Sequence, residues 1–456
     1  MRRQLAALLS LTLLAVLPFL GGLDGEFVGD DVPIIELHTG LRAGANPARL
    51  FTETYWREFG AGGLYRPLTL ASFALDRMVW GADAKGAPAP RGVHRTNLLL
   101  NVIAALLVYA ALRRRVTDTP SAWLGAALFA VHPLHTEAVV HLVGRADLLM
   151  AVFFLAALNL HGVPGWKARL AAALCYFAAL LSKEMGASLP AVLLAEAWLL
   201  RCPGSARAFL SHQLRELAPY LSVFAVFLLI RGAVLGASLD PPQAWVLAVP
   251  GRFLAFEAPK PFEVGLTMLH VFGEYLLLLV APLWLCADYS GLPHSTALEF
   301  PVLLSASSWA ALLGLVCWAW RRGAREPAVW LAFFALTMLP VSNLIVMTGI
   351  VMAERVLYLP SVAVCGVAAW GASRLWRRRR AWILPFVGWL IWFGVQTTLR
   401  SPVWSDPLTL YEETVEQGRY RGHVALNGLV GTMLDELGRR PDPELRERAL
   451  ATQERP

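Results

Sequence analysis

The chain has 456 residues, 57% of them hydrophobic and only 16% charged, with a mean hydropathy of +0.52. A soluble domain carries about 25% charged residues, so a soluble globular class is excluded. The net charge of +7 does not point to nucleic acid. The basic residues, all arginine except Lys85, Lys167, Lys183 and Lys260, gather densely at the ends of apolar runs, where they mark the cytoplasmic side. Those runs recur in blocks of roughly 17–23 residues and predict an all-α, polytopic bundle of about 11–12 transmembrane helices. They are continuous rather than alternating, which argues against strands. The five cysteines (Cys175, Cys202, Cys286, Cys317 and Cys365) are scattered and mostly within apolar runs, and indicate neither a disulfide framework nor a CxxC metal site.

Met1-Arg2-Arg3 precedes the first apolar run, Leu5 to Leu20. No A-x-A-like cleavage site follows, so the run reads as a retained span with a cytoplasmic N-terminus. Residues 21–95 form a long first external loop. Its aromatic-rich pieces, Phe51 to Phe59 and Leu64 to Trp80, read as helices lying in the interface. The second span, 96–112, ends at the cytoplasmic Arg113-Arg114-Arg115, and spans at 121–140, 147–161, 167–182, 187–200 and 217–236 follow. Counting back from the cytoplasmic Arg377-Arg378-Arg379-Arg380 gives spans at 353–375, 328–348, 301–320 and 264–283. The two counts disagree in parity across the Pro-rich residues 237–263. Something there must cross or re-enter, and Ala244 to Ala258 is the only apolar candidate. Ala381 to Val395 returns the chain outward. Residues 1–399 therefore form a membrane domain, and 400–456 a short, polar, helix-forming external tail.

Ionisable residues beside or within apolar runs are costly and default to functional candidates. Five groups qualify. Asp30-Asp31, just past the first run, sits at the outer membrane–water boundary. Adjacent like charges raise the pKa of at least one of the two, which suits a general base or a ligand for a divalent metal; the plain alternative is a solvated turn. Tyr65-Arg66-Pro67, with His94 and Asn97, offers an Arg held by a following proline as a partner for phosphate, or an Arg that snorkels to headgroups. The densest group is His132-Pro133-Leu134-His135-Thr136-Glu137, followed by His141 and by Gly144-Arg145-Ala146-Asp147. His132, His135 and Glu137 could hold a metal, position a substrate, or form a hydrogen-bonded hairpin turn. Pro133 spoils a regular helical HxxH, and HExxH is absent. Ser182-Lys183-Glu184 stands at an outer span junction, Lys183 and Glu184 being candidates for binding substrate or phosphate, or merely an interfacial ion pair. Glu354-Arg355, with Tyr358 about a turn away, stands at the outer mouth of a span, where Arg355 meets a bound phosphate or snorkels. All five groups fall on one face, which predicts a single site at the outer leaflet built from several span ends.

Phe27-Val28-Gly29-Asp30-Asp31, Tyr65-Arg66-Pro67-Leu68, His94 to Leu100, His132 to Val139, Gly144 to Leu149, Ser182-Lys183-Glu184 and Glu354 to Ser361 occur in this order. Together with Ala287-Asp288-Tyr289-Ser290-Gly291, they resemble the transmembrane-and-TPR-repeat O-mannosyltransferases and, more broadly, glycosyltransferases of the GT-C class. The resemblance covers roughly residues 5–375. It implies transfer of a sugar, mannose by this analogy, from a polyprenyl-phosphate-linked donor to an acceptor hydroxyl on a protein or lipid, at the periplasmic or lumenal face of a membrane such as the bacterial inner membrane. It also implies that the acidic pair of the first external loop, here Asp30 and Asp31, is catalytic. Arg and His side chains would then stabilise the leaving phosphate. Two departures stand out. Asn101 occupies a position where a His is expected, and the residues after Trp404 hold only a TPR lead-in and one partial repeat, too little to bury an apolar face alone. Competing readings are a transporter or flippase of an anionic lipid or solute, and a membrane acyltransferase with His132 or His135 as base.

Overall fold

A computed structural model describes residues 2–42, 44–57, 63–115, 118–201, 205–236, 245–249, 252–256, 260–292, 295, 297, 299–345, 348, 350–416, 422–439 and 448–449. Cys202 and the parts of the expected tail at 417–421, 440–447 and 450–456 lie outside them. Helix α1 (Arg2–Val16) tightens into a 3-10 turn through Gly22. Leu5, Leu9, Leu13 and Leu17 recur every four residues and stay exposed, whereas Leu11, Ala15 and Phe19 are fully buried. That division gives the helix one face for lipid and one for protein. Among the described residues six helices are long and apolar enough to cross a membrane: Arg2–Gly22, Pro90–Arg115, Leu142–Leu160, Ala206–Leu235, Pro261–Val280 and Phe300–Arg321.

The helices after α1, in chain order, are α2 (Pro67–Trp80), α3 (Pro90–Arg115), α4 (Thr119–Ala130), α5 (His135–Val139) and α6 (Arg145–Leu160). Then come α7 (Trp166–Ser182), α8 (Leu189–Arg201), α9 (Ala206–Leu235), α10 (Pro261–Val280), α11 (Phe300–Arg321) and α12 (Glu326–Met338). The last are α13 (Val362–Trp376), α14 (Leu384–Arg400), α15 (Pro407–Glu416) and α16 (His423–Arg439). The centre of the bundle is α3, α4 and α6, with α13 and α7 against them. Small residues set the spacing: α4 buries Ala122, Gly125, Ala126, Ala127 and Ala130. A Cβ on Gly125 would stand 2.7 Å from the Cys365 carbonyl oxygen of α13, so the two backbones touch there.

Several expected spans stop short. The run 121–140 breaks after Ala130, 328–348 leaves the α-helix at Met338, and 353–375 becomes helical only at Val362. Proline stands at each break (Pro133, Pro340, Pro360), where it removes a donor and clashes with the preceding turn. The backbone between is turn or 3-10, including Leu339–Val341 and Glu354–Leu357. Such backbone is tolerated at membrane depth only where protein covers it, and residues 131–144 are buried throughout. The turn Glu354–Leu357 packs on α5, and the turn Glu184–Ser188 packs on Leu339–Val341.

Two expectations fail locally. The run Ala244 to Ala258 supplies no helical crossing: strands β1 (Trp245–Val249) and β2 (Arg252–Phe256) pair antiparallel, Trp245 opposite Phe256 and Val249 opposite Arg252. Two five-residue apolar runs around a Pro-Gly pair fit a hairpin better than a span. In the first external loop, α2 forms as expected, but among the described residues 51–57 no α-helix forms; a 3-10 turn, Pro47–Phe51, capped by the Asn46 side chain, ends at Phe51. Residues 58–62 lie outside the described set.

The tail forms a helical hairpin, α15 and α16, with a small seam of Val415, Ala425, Leu429 and Met433. It sits against the loop that follows α1 and the end of α14. The Glu26 N–H donates to the Ser405 carbonyl at 2.9 Å, and Arg400 pairs with Glu413 at 3.1 Å.

Candidate active site

Breaking α4 from α6, and α12 from α13, delivers side chains of distant segments to one end of the bundle. Four pieces meet there: the Asp30 loop, Arg66 at the start of α2, the α5 turn, and the Glu354-Arg355 turn. Glu137 of α5 grips Arg355 twice. Its Oε2 accepts the Arg355 backbone N–H at 2.7 Å and its Oε1 accepts from Nη1 at 2.8 Å. The guanidinium is thereby aimed so that Nη2 lies 3.5 Å from the Asp30 carboxylate. Arg66 directs Nε and Nη2 onto one oxygen of Glu184, at 3.1 and 3.0 Å, and lies over the Tyr55 ring. Lys183 pairs with Asp147 at 2.6 Å, both almost fully buried. Each of the three cations has a carboxylate partner, as a low-dielectric site requires.

The acidic pair divides. Asp30 has a side chain 40% exposed, beside Arg355. Asp31 is fully buried, and its two oxygens accept the backbone N–H groups of Val28 at 3.1 Å and Val143 at 2.8 Å, with His141 Nε2 3.3 Å away. Burial pushes the Asp31 carboxyl up to about 8, against the two N–H donors; the charge of Asp30 adds to the rise. Repulsion between neighbours was expected to be the cause, and burial is the larger one. Gly29, at φ +52°, makes the sharp turn that sends the two side chains apart. Burial would also raise Glu184, but the Arg66 guanidinium, a backbone N–H and Lys183 together outweigh it and hold Glu184 below the usual carboxylate range.

Other predicted site residues do not join this group. Arg145 is fully buried and spends its donors on Asp76 (2.7 Å), Ser72, Asn97 and the Val93 carbonyl. His94 bonds the Gly25 carbonyl at 3.2 Å. His132 bonds the Leu279 carbonyl at 3.1 Å, and His135 bonds the Ser361 hydroxyl at 3.0 Å while packing against Phe129 and Tyr358. Tyr358 donates to Asn101, whose amide in turn ties α3 to α1 at the Ala15 carbonyl. These five are buried members of the scaffold, and a His base for acyl transfer has no open side here. Glu354 is fully buried too, accepting from Tyr289 at 2.8 Å and from the Cys286 N–H.

Each Asp31 oxygen already accepts a backbone N–H, so Asp30 is the more open carboxylate of the pair toward a divalent ion. Among the described residues no group of three or more His, Cys, Asp or Glu side chains is placed to hold an ion. Sequence reasoning missed Tyr55, Asp76 and Tyr411. Asp76, a charge within an apolar helical stretch, carried a readable signal. The two tyrosines carried none.

No family model matches the chain. Among curated proteins it is 28% identical to the protein O-mannosyl-transferase Tmtc1 of Drosophila melanogaster, across 97% of this chain and 61% of that one. It is 28% identical to the protein O-mannosyl-transferase TMTC4 of Homo sapiens, across 88% of this chain and 60% of that one. An oligosaccharyltransferase from Archaeoglobus fulgidus superposes at a TM-score of 0.45 with 11% identity, over 98% of this chain and 58% of that one, too distant to carry an argument. The chain spans about three fifths of the length of the curated relatives it matches. Over most of its length it is similar to the TMTC protein O-mannosyl-transferases, the resemblance that its ordered motifs carry.

Proposed function

We propose that the chain is an integral-membrane glycosyltransferase that moves a sugar from a polyprenyl-phosphate-linked donor to an acceptor hydroxyl. The names of its relatives, protein O-mannosyl-transferases, support mannose as the sugar and a protein hydroxyl as the acceptor, which we take to be serine or threonine. The outer face of this reading is the periplasmic side of a bacterial inner membrane, or the equivalent lumen. The observation that carries it is the part-exposed Asp30 set against an Arg355 that Glu137 holds from two sides.

In the proposed step Asp30 takes the proton of the acceptor hydroxyl while that oxygen attacks the anomeric carbon. The bond from that carbon to the phosphate oxygen breaks, the configuration inverts, and the lipid phosphate leaves with the bonding pair. Arg355, with Arg66 as the second cation, offsets the charge that develops on the leaving group. A bound donor phosphate competes with Asp30 for Nη2 of Arg355, so donor binding frees the base it needs. Asp31 holds the loop rather than the proton in transit.

Replacement of Asp30 by Asn should lower kcat by about 10²–10⁴-fold, measured as transfer from a polyprenyl-phosphate sugar to a Ser/Thr peptide in membranes. Full activity in that variant would remove Asp30 from the chemistry.

A further inference from the structure

The tail is fastened to the same loops that carry the candidate site. Ala287 to Gly291 joins the two: Tyr289 donates to the buried Glu354, and Asp288 accepts the Ala425 N–H of α16 at 2.9 Å. Asp288 thus caps a helix that follows it by more than a hundred residues. Two glycines of the tail make this contact close. A Cβ on Gly422 would meet the Asp288 carboxylate at 2.3 Å, and one on Gly428 would meet the Tyr411 ring at 2.5 Å. The Tyr411 ring therefore lies flat on α16, and its hydroxyl comes 3.7 Å from the Cβ position of Gly29, beside Asp30. Tyr411 is half-buried, and its hydroxyl makes no hydrogen bond to a described residue. Burial, then the charges of Asp30, Asp288 and Asp31, push the phenol up to about 12, so it keeps its proton and stays a donor.

We propose that the hairpin α15–α16 is the acceptor-side wall of the active site, and that Tyr411 is a specificity-determining residue that donates a hydrogen bond to a hydroxyl-bearing peptide laid across Asp30. The inference rests on the reading of Asp30 as the base. A peptide is the ligand that the arrangement suits: its carbonyls accept from a phenol that has no other partner among the described residues, and its side-chain hydroxyl then falls over Asp30. The donor phosphate meets Arg355 and Arg66 instead, on cations that the hairpin does not supply. The partial repeat therefore has a task of its own at this site.

The test uses the full chain in detergent with a fluorescein-labelled peptide of alternating Thr and Ala residues. Fluorescence anisotropy reads its affinity, and initial rates read KM for peptide and for donor separately. Losing one hydrogen bond of about 1–1.5 kcal/mol should weaken peptide affinity in Tyr411→Phe by about 5–10-fold and raise the peptide KM to match. The donor KM should stay at the wild-type value, a split that a merely structural role would not produce. Peptide affinity in Tyr411→Phe equal to wild type overturns the proposal. The Asp30→Asn variant separates the two readings. If it is active, Asp30 is not the base, while the affinity comparison still decides Tyr411. A Tyr411→Phe protein whose melting temperature falls with its affinity is replaced by Gly428→Ala, which moves the ring and must also weaken the peptide, or the proposal fails.

Discussion

At the scale of single residues, the acid pair shows how neighbours acquire different work. Both carboxylates are visible in the sequence, and their position after the first span marks them as candidates. Their division is not visible, because it depends on the Val143 N–H, 112 residues away, and on the depth to which the loop is covered. Asp31 carries a pH signature. Its carboxyl rises from an ordinary 3.8 to about 8 in the folded chain. Between those values the native protein holds a proton that the unfolded chain has released, so this group's contribution to stability falls as the pH rises and levels off above about 8. Melting temperatures measured from pH 5 to 9 should show that decline, and Asp31→Asn should flatten it. The same variant leaves one N–H without its acceptor and should lose about 1–3 kcal/mol of stability. A slope that survives the substitution would assign the proton to another group.

At the scale of elements, the informative feature is where helices end. Apolar runs are legible as helices, and the lipid face of α1 follows from leucines four apart. What cannot be read is which runs break at membrane depth, because a proline such as Pro133 permits a break without requiring one. The packing of the Glu354–Leu357 turn on α5 decides the matter, and that contact joins segments more than two hundred residues apart. The loop Ala287 to Gly291 teaches the same lesson. It stood out as a motif, yet its task, capping α16 through Asp288, depends on where the tail folds back. Asp288→Ala removes that cap, a loss of about 0.5–2 kcal/mol for the hairpin alone. Hydrogen exchange over residues 423–439 should speed up, while exchange in α3, α4 and α6 stays at the wild-type rate. Unchanged exchange in α16 would mean that its docking does not depend on Asp288.

At the scale of the whole molecule, composition alone settled the class, and arginine clusters suggested its sidedness. The parity conflict around residues 237–263 was legible as a conflict, but its resolution was not, since β1 and β2 replace the crossing that the apolar run invited. Sidedness has a direct check. Helix α3 has 26 residues and runs from Arg91, paired with Asp24, to Arg113-Arg114-Arg115. At about 1.5 Å per residue it is roughly 39 Å long, more than the ~30 Å hydrocarbon core. In a cysteine-free background, Asp24→Cys should react with a membrane-impermeant maleimide added to sealed spheroplasts, and Arg114→Cys should react only after lysis. The opposite pattern would turn the proposed site to the cytosol.

The pair of Lys183 and Asp147 bears on how the protein enters its membrane. An unpaired charge at a buried helix end opposes insertion, though by less than the about 2.5–3.5 kcal/mol of a helix centre. The two residues lie at the facing ends of α6 and α7, a hairpin that leaves the ribosome as one stretch, and they contact each other at 2.6 Å. Cancelling the charges within the hairpin lets both helices partition together, before Arg355 or Glu137 has its mate. Pulse-labelling during synthesis should therefore find Lys183→Ala stalled with Asp147 at the boundary, and Lys183→Ala combined with Asp147→Ala restored to efficient insertion. The order of biogenesis is thus written into a salt bridge.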